Sequence, residues 1–145
     1  MHKRFSFFIW ALIIFQFLTT IFHSLSFFIK PVGSNATEEQ MISLIGTYKM
    51  DMGNGIFRTY SELVFSLSIS VTLICLFGGL LNWFLKRKQI AAEVWKGVLL
   101  IETIVFGIMF LVVMFFAFLP PMICTGLIFF SCTGSLVTVP TTSSR

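Results

Sequence analysis

The chain alternates long apolar stretches with short polar ones. Phe5 to Ile29 carries no Asp, Glu, Lys or Arg over 25 positions, Leu63 to Leu85 carries none, and Gly97 to Leu119 is interrupted only by Glu102. A hydrocarbon core of about 30 Å takes roughly 20 helical residues at about 1.5 Å each, so each stretch predicts one crossing. Charge is absent again from Thr103 to Ser144, 42 positions. As one helix these would reach about 63 Å, twice what a bilayer covers. Pro120-Pro121 divides them, because proline removes a ladder donor and drives its predecessor out of the α region. Met122 to Val139 then forms a fourth crossing, in a tight hairpin with the third. With the second helix starting a turn early near Tyr60, the expected spans are about 5–29, 60–85, 97–119 and 122–139.

A barrel is excluded by the pattern. Membrane strands alternate apolar and polar residues, and Val105 to Phe118 shows no alternation. The expectation is an all-α polytopic membrane protein, a single four-helix transmembrane domain over residues 1–145 in an antiparallel bundle. Composition agrees: 57% of residues are hydrophobic and 11% charged, against about 25% charged in soluble domains. The basic Met1-His-Lys-Arg start resembles a signal peptide. The apolar run after it exceeds the usual h-region of about 7–15 residues and no Ala-x-Ala follows, so the first helix is expected to stay uncleaved.

Basic residues orient the bundle. Lys3, Arg4, Lys86, Arg87, Lys88, Lys96 and Arg145 fall on one side, and Lys30, Lys49 and Arg58 on the other. Both termini are therefore expected in the cytoplasm. The same residues account for the net charge of +4 through attraction to anionic headgroups. The expected partners are the lipid bilayer and a second copy or another membrane protein; no nucleic acid is expected.

The sizeable loop, Pro31 to Thr59, predicts a short amphipathic helix in the first extracytoplasmic loop. Thr37-Glu38-Glu39-Gln40 fits a capping box with Thr37 as N-cap, and Met41, Ile42, Leu44, Ile45, Tyr48 and Met52 follow at helical spacing. Gly53-Asn54-Gly55 breaks it with turn residues. Thr59-x-x-Glu62 repeats the box at the second span, and Asn35-Ala36-Thr37 matches a glycosylation sequon.

Polar groups inside spans are costly and therefore informative. The candidates are Glu102, Asn82, His23, Glu62 and Gln16. Glu102 lies about five residues into the third span, near its cytoplasmic start. There it bonds Asn82, snorkels toward Lys86 or Lys96, or acts as a proton-titrating group. His23 and Glu62 stand near the outer leaflet on consecutive helices, either as an acid–base pair or as an interfacial histidine and a helix cap. Gln16, near mid-membrane, is read as an interhelical hydrogen-bonding group. Ser61, Ser68, Thr72, Cys75 and Gly79, and then Gly126, Ser131, Cys132, Gly134 and Ser135, form small-residue faces that let helices approach closely.

Catalytic signatures are lacking. There is no C-x-x-C, H-E-x-x-H, G-x-S-x-G, P-loop or G-x-G-x-x-G, and only two His, one at position 2. No catalytic residue, cofactor or metal is expected. No internal repeat of the kind that builds transporters is visible.

The layout resembles a family of small bacterial four-helix integral membrane proteins. The resemblance rests on a first helix ending near His23, the Glu38-Glu39-Gln40 segment, Met50-Asp51-Met52-Gly53, Gly78-Gly79-Leu80-Leu81-Asn82, and the Phe118-Leu119-Pro120-Pro121 turn. It implies an inner-membrane protein and carries no catalytic residue across. An accessory or structural bundle, or a small permease-like one, is the first expectation. A membrane enzyme or carrier for an apolar small molecule, using buried Glu and His groups, is the second.

Overall fold

The structure is a computed structural model that describes residues 3–140; His2 and Arg145 lie outside them. Helix α1 (Lys3–Leu25) ends in a 3₁₀ turn (Ser26–Phe28). It is followed by α2 (Ala36–Thr47), strands β1 (Lys49–Asp51) and β2 (Phe57–Thr59), α3 (Tyr60–Lys88), α4 (Ala92–Phe116) and α5 (Leu119–Thr138). Helices α1, α3, α4 and α5 are each long and apolar enough to cross a membrane, with mean hydropathies of 2.1, 2.3, 2.7 and 1.5 over their most apolar windows. The fold is all-α and polytopic.

Two boundaries differ from expectation. The prolines open α5 rather than divide the chain: the break falls at Ala117 and Phe118, both extended, and the prolines occupy the first turn. A helix's first amides have no intrahelical acceptor, so prolines cost no hydrogen bond there. Helix α4 begins at Ala92, five residues before the apolar run, and its first turn anchors on Trp95, which packs in the core.

The chain divides into two compact units, residues 1–20 with 75–145, and residues 21–74. The first contains the hydrophobic core. Helix α1 buries Phe5, Ile9, Leu12, Ile13, Gln16 and Thr19, a helical face at spacings of three and four. Cys75, Trp95, Leu99, Phe106, Ile128 and Cys132 complete the core from the other helices. Phe5 meets Trp95 edge-on at 5.4 Å, and Lys86 Nζ donates to Ser6 Oγ at 3.1 Å. The start of α1 therefore lies beside the end of α3 and the start of α4. Gly107 faces Phe129 and Gly126 faces Phe110, so α4 and α5 run antiparallel and interlock ring against glycine. The outward residues are large and apolar, among them Phe7, Ile101, Phe115, Phe116 and Phe130, a surface suited to lipid rather than water.

In the second unit, α2 starts at Asn35 rather than Thr37. The Asn35 side chain accepts from Glu38 N at 3.0 Å, and Ser34 N donates to Glu38 Oε2 at 2.7 Å. The box is set two residues earlier because Asn is among the strongest N-caps. A hairpin that the sequence reading did not anticipate follows. Lys49 pairs with Thr59 and Asp51 with Phe57, across a turn in which Gly53, Asn54 and Gly55 all have positive φ. Glycine adopts that region without steric penalty, and Asn tolerates it.

Candidate functional site

Three polar side chains face one another inside the first unit. Gln16 and Asn82 are fully buried, and Glu102 is 8% exposed. Asn82 Nδ2 donates to Glu102 Oε2 at 2.8 Å, to Glu102 Oε1 at 3.0 Å and to Gln16 Oε1 at 3.1 Å. From α5, the buried Cys132 thiol reaches Glu102 Oε2 at 3.8 Å. Each long helix supplies one member. Gly78 makes the room: a Cβ there would stand 2.5 Å from Gln16 Nε2 and 3.5 Å from Glu102 Oε1.

The expected Glu102–Asn82 contact is present, farther along its helix than expected. Glu102 is the eleventh residue of α4, about 15 Å along it, because the helix begins at Ala92. That depth brings it level with Gln16. Lys86 instead donates to Ser6 Oγ and lies 5.1 Å over the Trp10 ring. No ion pair to Glu102 occurs within 4.0 Å among the described residues.

Hydrogen-bond bookkeeping is uneven. One Asn82 amide group, with two hydrogens, faces three oxygens, while Gln16 Nε2 and Asn82 Oδ1 have no partner. The set can hold helices together through shared hydrogen bonds. The thiol beside the carboxylate is sealed from water, and Cys75, Cys124 and Cys132 are all free. Among the described residues no three His, Cys, Asp or Glu side chains gather closely enough for a metal ion.

His23 and Glu62 are not brought together. His23 Nδ1 lies 3.4 Å from Thr72 Oγ1, with Phe27 edge-on to its ring. Glu62 closes a capping box: Thr59 N donates to Glu62 Oε2 at 2.8 Å, and Glu62 N donates to Thr59 Oγ1 at 3.2 Å. Thr72 stands ten residues beyond Glu62 on α3, about 15 Å along the axis. Cys132, which the sequence presents only as one of a stripe of small residues, is the member of the centre that the pattern hid.

Fold and polar centre together define a helical membrane protein of several spans. Set against known protein families, curated proteins and solved structures, the chain has no significant match.

Proposed function

We propose that this chain is a non-enzymatic, multi-pass protein of the bacterial inner membrane, with both termini cytoplasmic, serving as an accessory or structural bundle. The closed polar centre carries this reading. Gln16, Asn82, Glu102 and Cys132 turn toward one another, and neither the cavity at the Lys86 end nor the groove along α1 is lined by any of them. Polar side chains that bond across helices are a recognised cohesive device in lipid. The excess of Lys and Arg at the two ends and the α3–α4 connection supports the orientation. Lipid is the first partner; a second copy or another membrane protein is the other class that fits apolar outward faces.

One observation favours a second reading, a carrier for a small molecule. Two buried amide atoms, Gln16 Nε2 and Asn82 Oδ1, stand uncommitted. Glu102→Gln separates the two. A cohesive centre keeps its detergent thermal midpoint near wild type with a neutral amide, whereas Glu102→Ala lowers it. If Glu102→Gln unfolds the bundle as badly as Glu102→Ala does, the structural reading fails. Reporters fused to each end are expected to be active in the cytoplasm, and a split result overturns the orientation.

A further inference from the structure

The basic end of the first unit holds a cavity of about 740 Å³ whose walls include Phe5, Lys86, Gln89, Ile90, Trp95 and Pro140. Its volume lies in the range of small-molecule sites. Lys86 is its cation, and no carboxylate lies within 4.0 Å of that ammonium among the described residues. Glu93, the nearest acidic residue in sequence, is exposed and does not line the cavity. Gln89, whose backbone sits in the left-handed region at φ 50°, supplies an amide to the rim, and Phe5 and Trp95 form an apolar floor.

A second hollow, a groove of about 620 Å³, is lined by two residues that the same lysine touches, Ser6 and Trp10. It follows one face of α1 and is lined by Lys3, Ser6, Trp10, Ala11, Ile14 and Phe15. Lys86 joins the two, because it lines the cavity while its ammonium bonds Ser6 and lies over Trp10, two residues of the groove. From Lys3 to Phe15 the groove runs about 18 Å, comparable to one leaflet of a hydrocarbon core about 30 Å thick. A cationic pocket with a polar rim, opening onto an apolar channel one leaflet deep, matches a molecule with an anionic head and a long apolar tail.

We propose that this end of the bundle binds one anionic phospholipid, its phosphate at Lys86 and Gln89 and one acyl chain along the α1 groove. Basic pockets between membrane helices are known to take such headgroups. The groove distinguishes this occupant from free phosphate, which would use the cavity alone. The proposal is independent of the role of the Glu102 centre.

The test is native mass spectrometry of the full chain in detergent, titrated with phosphatidylglycerol or phosphatidylcholine, with circular dichroism as a folding control. A 1:1 adduct favouring phosphatidylglycerol is expected. Lys86→Gln should weaken it about fivefold, whereas Lys88→Gln, outside the cavity, should not. Ala11→Phe, which fills the groove without altering charge, should also lose the adduct. Equal binding of both lipids, or a preference unchanged by Lys86→Gln, overturns the proposal. Displacement of the lipid by millimolar inorganic phosphate, with Ala11→Phe without effect, overturns the acyl groove in favour of a phosphate site.

Discussion

At Asn82 a single amide group serves three oxygens, and this makes it the residue on which the polar centre depends. Replacing it with alanine removes the two shortest hydrogen bonds to Glu102. Orphaning a buried acceptor costs about 1–3 kcal/mol, so Asn82→Ala is expected to lower the thermal midpoint in detergent. Asn82→Asp should do at least as much harm by setting a second carboxyl against the first. Gly78→Ala tests the same centre from its backbone side. The added methyl meets Gln16 Nε2 at 2.5 Å, so the Gln16 side chain must turn aside, and the weakened bond to Asn82 should cost about 0.5–1.5 kcal/mol, while Gly97→Ala, where a Cβ meets open space, should not. Glu102 and Asn82 could be paired from the sequence because both are polar in an apolar run. Gln16 and Cys132 could not be joined to them: periodicity gives a residue's face, but its depth depends on where its helix begins. For α4 that start lay five residues upstream of the apolar signal.

Among the elements, the caps were partly legible and the hairpin was not. Thr59 and Glu62 form the box their spacing implies, but in α2 two overlapping boxes compete, and Asn35 wins with Ser34 closing it. Three-residue strands such as Lys49–Asp51 and Phe57–Thr59 are too short to show alternation, so Gly53-Asn54-Gly55 reads only as a break. Thr59→Ala is expected to fray the first turn of α3 and cost about 1 kcal/mol, while the backbone pairing of Thr59 with Lys49 survives. At α2, the Ser34 backbone donor, followed by the Ser34 and Asn35 side chains, holds the Glu38 carboxyl below its ordinary 4.5. Its folded value is lowered, so its contribution is complete above about pH 4.5 and is lost as the pH falls through that lower value. Backbone carbon shifts of residues 36–40 should therefore move toward coil in acid, and Glu38→Gln should abolish that dependence.

Over the whole molecule, cohesion is unevenly distributed. Every buried apolar side chain belongs to residues 1–20 and 75–140, and the 21–74 unit buries only Thr59 and Thr72 among the described residues. Local stability follows buried contacts, so hydrogen exchange in detergent should be complete across residues 34–58 well before it reaches the amides around Leu12, Asn82, Leu99 and Cys132. Uniform protection along the chain would contradict this. The number of spans was readable because transfer of long apolar runs from water outweighs local preference. The division of cohesion was not, since lipid-facing and core-facing leucines and phenylalanines look the same in composition. The placement of the three cysteines also has a practical consequence. Cys75 and Cys132 are buried and Cys124 is half-buried within α5, so a membrane-impermeant maleimide is expected to leave all three unmodified in the bilayer. A thiol introduced at Asn54 or Arg87 would then be the single site modified, so the natural polypeptide already serves as a background for spin labels or fluorophores.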